Sequence, residues 1–431
     1  MNEYNVINEE KVIEELIKRF NSGIKNSSQK LGVEFEHFII DQESLESCDY
    51  GRGVKRVMEN LSRKGWEPLN HESEELIALK KNEHYITLEP GGQIEVSLKP
   101  YKDIAEIRAA YSKVLDEIKA SLLNNQRIIS LGYHPKSKIK SLEILPKVRY
   151  HQMFEYFKTR GKYAHYMMKG TASTQVAIDY HSEDDFTKKF RVSNFLSPFL
   201  YRIFDSSPIF EGKIYNKNNL RLNIWDYTDE CRCGIPNNAL TKEKYNFKDY
   251  SEFILDAPPI FLKNNEDYMF TGKKSLREII HENKFNGIDL EYVLGMVFPD
   301  TRLKSYIELR MPDALPYPLS LAVPALIKGI FYNQENLDKY YDLSLKYDDK
   351  DYLKFKELFK ESLDFNYKGI NSETFIKMLF EDAINELETE ELVEIYEIKK
   401  IIESYGSVSN FLKKLYQEDR SRFLSIVTGG L

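Results

Sequence analysis

A chain of 431 residues with 42% hydrophobic and 30% charged side chains can build a sizeable core, as one large domain or two ordinary ones, and is not a disordered composition. Its formal net charge of −7 argues against nucleic acid as the main partner, which would require a basic footprint. Cys48, Cys231 and Cys233 are too few, and odd in number, for a disulfide framework; they fit a reducing, cytoplasmic setting.

Cys231 and Cys233 stand too close to bridge without severe strain, and the pair lacks the four ligands of a structural zinc site. The acidic start MNEYNVINEE has no apolar segment of the signal-peptide kind, and no run approaches 18 apolar residues. Neither a targeting peptide nor a membrane span is expected.

In chain order, Asn8 precedes two glutamates and the apolar series Val12, Ile13, Leu16, Ile17, Phe20, which predicts an N-capped amphipathic helix ending near Gly23. LGVEFEHFIID (31–41) alternates as a strand, with Val33, Phe35 and His37 on one side and Glu34, Glu36 and Phe38 on the other. Glu34 and Glu36 would then lie roughly 7 Å apart at the strand rise, repelling unless water or a cation intervenes. By themselves they read as the wet face of an edge strand. His37 reads as a packed strand residue rather than a ligand.

Residues 54–66 predict a helix, followed by a polar turn over Asn70 to Glu75. Tyr85 to Pro100, YITLEPGGQIEVSLKP, predicts a hairpin bent at Pro90-Gly91-Gly92. In its second strand Ile94, Val96 and Leu98 share one face, and Gln93, Glu95 and Ser97 the other. Asp103 is placed to cap a helix whose buried stripe is Ile104, Ile107, Tyr111, Val114, Leu115, Ile118 and Leu122. Ile128–Leu131 predicts a short buried strand, Tyr150–Lys158 a helix and TASTQVAIDY (171–180) a strand facing Gln175, Ala177 and Asp179 one way. Glu183–Phe204 predicts a helix, NLRLNIWD (219–226) a strand-like piece carrying Arg221, and Cys231–Pro236 a loop containing Arg232. Residues 250–300 mix helical pattern with loops. SYIELR (305–310) alternates again, with Tyr306, Glu308 and Arg310 on one face. From Leu319 the pattern is helical to the end, with no further strand signal.

With no repeat, low-complexity segment or linker, one α+β domain is expected, with a helical C-terminal part. Its strands carry Glu34 and Glu36, Glu89 and Glu95, Gln175, and Glu308. Gathered in one curved sheet, they would line a concave face with carboxylates. Oxygen-only donors select Mg²⁺ or Mn²⁺, and magnesium held this way usually also grips phosphate, which implies a nucleotide. Arg221, Arg232 and Arg310 suit bidentate carboxylate and phosphate contacts. No GxxxxGK[ST] sequence occurs, so a P-loop is excluded. These features together suggest acyl-phosphate chemistry.

GVEFEHF (32–38), ITLEPGGQIEVS (86–97), STQVAIDY (173–180), KKFR (188–191), SSPIFEGK (206–213), LRLNIWDYTD (220–229), FPDTRLKSYIELR (298–310) and PKVRY (146–150) resemble, in this order, segments of the glutamate–cysteine ligase family. The likeness is to its plant and α-proteobacterial branch and spans roughly residues 31–330. It implies an antiparallel six-stranded, funnel-like sheet, as in glutamine synthetase, surrounded by helices. One catalytic domain would cover 1–431, with the site on strands within 31–310 and residues 319–431 packed on it as a helical part.

The resemblance also implies ATP, Mg²⁺ (or Mn²⁺), L-glutamate and an amine such as L-cysteine, joined through γ-glutamyl phosphate in glutathione biosynthesis. By position, Glu34, Glu36, Glu89, Glu95 and Glu308 would hold metal, and Gln175, counted with that shell, would face substrate. Arg149 and Arg221 would grip glutamate, and Arg232 and Arg310 would contact phosphate or the transition state. Partners would be small molecules, with no nucleic acid or membrane, in a monomer or homodimer. The sequence departs from the family at Ala177 (usually Asn), Asn223 (usually His) and Met311-Pro312 (commonly Gly-Ala). A related ligase using another amine, and a degenerate homologue kept for binding, are the alternatives. Retention of every metal-type carboxylate argues against the latter.

Overall fold

The Pro90-Gly91-Gly92 turn seats the centre of the molecule. In the computed structural model, which describes residues 8–26, 29–69, 75–264, 267–282 and 289–429, Gly92 has φ +85, open to glycine at little cost. The Gly92 amide donates to the Glu89 carbonyl (2.8 Å), and the Glu89 amide to that of Gln93 (2.9 Å). A Cβ on Gly91 would lie 2.6 Å from the Lys169 carbonyl oxygen, so only glycine lets the two backbones meet. Gln93 completes the join: its Oε1 accepts from the Gly91 amide and its Nε2 donates to the Thr171 carbonyl, both at 2.9 Å.

The main sheet has nine strands among the described residues, with antiparallel pairings: β1 (Leu31–Asp41), β2 (Glu67–Pro68), β3 (Ala78–Lys81), β4 (His84–Leu88), β5 (Ile94–Ser97), β6 (Gln126–Ile129), β7 (Thr174–Ile178), β8 (Thr301–Leu303) and β9 (Ile307–Leu309). Their order is β8-β9-β7-β1-β5-β4-β3-β2, and β6 pairs with the C-terminal half of β1. The sheet is thus larger than six strands. β3 and β8 were not anticipated: ALKK and TRL are too short for periodicity to separate from loop.

β1 is central rather than an edge, paired with β5 along one side and β7 along the other. Register carries its alternation across the sheet. Val33, Phe35, Ile86, Leu88, Ile94, Val96, Val176, Ile178, Ile307 and Leu309 are all at most 2% exposed and share one apolar face. Against that face packs the helix Ile104–Lys119, whose Tyr111 ring stacks on Phe35 at 3.7 Å. Asp103 occupies the N-cap position but its carboxylate makes no capping bond; it stands 3.6 Å from Lys328 Nζ instead. His37 is buried there as a packed residue, its Nδ1 2.7 Å from Ser130 Oγ and its Nε2 3.0 Å from the Tyr111 hydroxyl. Burial pushes its pKa down to about 3.

The first helix is Glu9–Ser22, with the Asn8 side chain accepting from the Lys11 amide. Lys55–Arg63 and Glu183–Ile203 are helical as the pattern predicts, and the helix expected from Tyr150 runs Val148–Phe157. Residues 70–74 of the expected polar turn lie outside the described residues. The strand expected at 219–226 is instead a helix, Leu220–Asp226. Leu220, Arg221, Leu222, Ile224 and Trp225 are all buried, so neither period shows in so short a run. Beyond Leu319 the chain is helical apart from a small hairpin, Asn366–Tyr367 with Ile370–Asn371, which two-residue strands could not announce. One apolar cluster runs from Val12 to Val427.

Candidate active site

The other face of the sheet is polar, and helices cover it. Glu36 lies directly opposite Glu95, Glu34 opposite Gln175 and Ser97, and Glu308 opposite Ala177 and Arg302. Over this floor stand Tyr150 and Met153 of the helix Val148–Phe157, Met167 and Met168 of Ala164–Gly170, and Arg221 and Trp225 of Leu220–Asp226. They enclose a cavity of about 200 Å³. Glu34, Glu36, Glu89, Glu95, Gln175, Arg149, Arg221 and Arg310 all line it. Arg221 and Trp225, one helical turn apart, project together because the segment is helical.

Glu308 faces a second cavity of about 180 Å³ on the other side of Glu34 and Gln175. Pro100, Ala177 and Tyr306 line it together with Lys30, Ser97 and Asp179. Glu308 is also the best-paired acid of the set, with Arg302 at 2.7 Å, Arg310 at 3.0 Å and Lys304 at 3.2 Å. These cations hold its carboxyl well below the usual range despite burial. Arg310 Nη1 also donates to Gln175 Oε1 at 2.5 Å, tying β9 to β7 beneath the cavity. Arg302 was not singled out from sequence; its hairpin register opposite Glu308 is the signal that would have found it.

The remaining acids lack such partners. Glu36 accepts from the Ser173 amide (2.7 Å) and Gln175 Nε2 (2.9 Å). Glu95 accepts from the hydroxyls of Thr87 (2.8 Å) and Ser97 (3.1 Å). Among the described residues no lysine or arginine forms an ion pair with Glu34, Glu89 or Glu95. Burial, reinforced by Glu95 and Glu308, pushes Glu34 up to about 8; burial with Glu89 and Glu36 does the same to Glu95. Glu89 rises to about 7 by burial and its acidic neighbours. Three half-buried carboxyls raised in this way are short of positive charge.

Oxygen donors lacking cations are what Mg²⁺ or Mn²⁺ would satisfy. As they stand, no three acids among the described residues are grouped closely enough to hold one ion. Mutually repelling carboxyls separate, and a cation would draw them together. A stability test follows. In the folded protein these groups keep protons that the unfolded chain has released, so between about pH 5 and about pH 8.5 metal-free protein should lose stability as pH rises. Excess Mg²⁺ should raise the melting temperature more at pH 8 than at pH 5. A melting temperature in EDTA that climbs over this range would show the acids to be already neutralised.

Arg149 and Arg221 keep donors in reserve. Arg149 Nη2 donates to the Gly295 carbonyl (2.7 Å) and its guanidinium lies 5.4 Å from the Tyr292 ring centre. Arg221 donates from Nη1 to Met311 O (2.8 Å) and from Nη2 to Arg310 O (3.0 Å), with Asp313 at 3.9 Å. In both residues the buried Nε–H has no partner, which suits an incoming anion.

Arg232 does not line either cavity. It is 0% exposed and donates to Asp229 (2.7 Å), Met296 O (2.6 Å), Pro258 O (2.7 Å) and the Tyr156 hydroxyl (2.5 Å). It pins the Cys233–Gly234 strand and the 295–298 segment behind the pocket wall. Arg232→Met leaves buried Asp229 with only Arg160, 3.9 Å away, as a cationic partner, and should cost about 3 kcal/mol in chemical denaturation, the low end for a broken buried pair. The affinity of the folded variant for ligands of the first cavity should stay unchanged. Wild-type stability with a hundredfold lower kcat would instead place Arg232 at the reacting groups.

A profile of Glutamate-cysteine ligase family 2 (GCS2) matches residues 30–407. The chain belongs to this family. It is 30% identical over 343 residues to the chloroplastic glutamate–cysteine ligase of Nicotiana tabacum, a match covering 77% of this chain and 65% of that one. The chloroplastic glutamate–cysteine ligase of Arabidopsis thaliana is 30% identical over 344 residues, with the same 77% and 65% coverage. The match therefore spans slightly under two thirds of these relatives' length. In fold, the chain is similar to a glutamate–cysteine ligase from Francisella tularensis solved with AMP, at a TM-score of 0.56 and 11% identity over 93% of this chain and 88% of that one. The glutamate–cysteine ligase family 2 match takes in all nine sheet strands and both cavities.

Proposed function

We propose that the protein joins the γ-carboxylate of L-glutamate to the amine of L-cysteine at the expense of ATP, through γ-glutamyl phosphate, releasing ADP and phosphate. The observation that carries this is one cavity where cation-poor carboxylates face arginines with unused donors. Glu34, Glu36, Glu89 and Glu95, with Glu308 behind them, would hold Mg²⁺ or Mn²⁺, which when bound supplies positive charge to the transferring phosphoryl group. Arg149 and Arg221 bind the α-carboxylate of glutamate and so orient its γ-carboxylate. Gln175 and Arg310, bonded to each other, stand at the wall between the cavities where a phosphoryl group would pass, with Arg302 beside them. Arg232 acts as a positioning residue. The second cavity would receive the nucleoside. We assign the protein to the cytoplasm on its free cysteines.

The departures from the family fall outside the first cavity. Met311 is buried and serves Arg221 through its backbone carbonyl, which any residue provides. Asn223 does not line the cavity, and Ala177 lines only the second one. This favours cysteine as acceptor over another amine. The deciding experiment is ADP release with Mg·ATP, L-glutamate and a panel of amines, with products identified by mass. A γ-glutamylcysteine product with cysteine preferred is expected. Preference for another amine would move the protein to a different pathway, and no turnover with any amine would overturn the ligase reading.

A further inference from the structure

A third cavity, of about 230 Å³, lies far along the chain from these residues, in the C-terminal helices. Its walls are Leu363 after the helix Asp349–Glu361, Ile376 and Phe380 of the helix Ser372–Ile384, and Ile402 of the helix Val393–Tyr405. Arg202, in the last turn of the helix Glu183–Ile203, also lines it, as do Asp364 and two ion pairs, Lys377 with Glu373 (2.8 Å) and Lys399 with Glu403 (4.0 Å). Arg202 is only 4% exposed. Its Nη2 donates to the Gly406 carbonyl, but its buried Nε and Nη1 have no hydrogen-bond partner. Among the described residues no carboxylate pairs with it; Asp205 and Asp364 act only from a distance, and burial pulls its pKa down to about 10.

A guanidinium stays charged in a protein, so an unpaired one in an apolar surrounding is costly. Elsewhere in this fold such charges are answered. Arg191, eleven positions before Arg202 on the same helix, spends its N–H groups on the Ser344 hydroxyl and on the Ser344, Lys242 and Tyr347 carbonyls. Arg202 differs in having an apolar cavity beside it and spare donors. The cavity is smaller than the roughly 300–1,000 Å³ of drug-sized ligand sites, so its occupant is small.

We propose that this cavity binds a small carboxylic acid with an apolar body, its carboxylate accepting from Arg202 and its body lying among Leu363, Ile376, Phe380 and Ile402. A bare inorganic anion would waste the apolar walls, and an uncharged apolar molecule would leave the guanidinium unpaired.

The test is thermal unfolding of the full chain with hexanoate, against hexanol, acetate and L-glutamate as controls. Hexanoate should raise the melting temperature saturably, by about 2 °C or more at concentrations well above its dissociation constant. Hexanol and acetate should do much less. Arg202→Met should abolish the hexanoate shift and, by removing an unpaired buried charge, leave the unliganded protein as stable or more so. Ile402→Trp, which fills the cavity while keeping Arg202, should also abolish that shift but preserve stabilisation by L-glutamate with Mg·ATP. This last arm separates the cavity from the acid-binding pocket. No response of wild type to hexanoate, an equal response to hexanol, or a response retained in both variants would each overturn the proposal.

Discussion

Glu95→Gln should lower Mg²⁺-dependent ADP release by about a hundred- to a thousandfold while raising the melting temperature of the metal-free protein. Glu95 faces Glu36 across the β1–β5 pair, and its own partners are the Thr87 and Ser97 hydroxyls. A glutamine carbonyl accepts both bonds in the same space, so packing is kept. What changes is the proton: metal-free folding at neutral pH must hold a proton on Glu95 that the unfolded chain releases, whereas glutamine is neutral in both states. Without a cation that cost disappears, and stability rises. With substrate it removes a donor from the group proposed to hold metal, and turnover falls. Opposite signs in the two measurements cannot come from misfolding. Activity close to wild type would remove Glu95 from the metal-binding set, and a lowered melting temperature would show its carboxylate to be compensated.

Arg221→Lys should raise the KM for L-glutamate by about thirty- to a thousandfold, with kcat changed less than tenfold, the equivalent of about 2–4 kcal/mol of binding. The guanidinium sits between the rings of Tyr201 (5.9 Å) and Trp225 (5.7 Å) while two of its nitrogens hold the Met311 and Arg310 carbonyls. The three donors of an ammonium share one nitrogen, which cannot stand at the places of Nη1, Nη2 and Nε at once, so the carbonyl contacts and the substrate carboxylate compete for it. Steady-state kinetics over a glutamate series, with melting temperature as the folding control, reads the effect. A kcat loss at unchanged KM would place Arg221 at the phosphoryl group rather than at the α-carboxylate.

Alternation was enough to read most of the sheet. Strands β1, β4, β5, β7 and β9 stand where period-two patterning puts them, and it separates Val33, Phe35, Ile94 and Val96 from Glu34, Glu36 and Glu95. The seven-residue helix carrying Arg221 was not legible in this way. Burial on every side erases the polar positions by which a helix and a strand differ. Arg302 was hidden because Thr301–Leu303 lacks the alternating flanks that SYIELR gives β9, and only pairing with β9 sets it against Glu308.

The sequence by itself determined which residue types share a strand face, because side-chain direction alternates with the backbone whatever surrounds it. Its motifs also carried the family likeness. Whether the polar face meets bulk water or a closed pocket depends on residues more than a hundred positions away. Met167, Arg221 and Trp225 arrive over the sheet only through packing of their helices, and they turn a solvated strand face into a cavity. The same packing decided that Arg232, which reads like Arg310 in sequence, is consumed by Asp229 and three other protein oxygens. Arg149 and Arg221 were left with an unpaired Nε–H beside the acids. Hydrogen-bond saturation is a property of the assembled neighbourhood, since each acceptor comes from a different part of the chain.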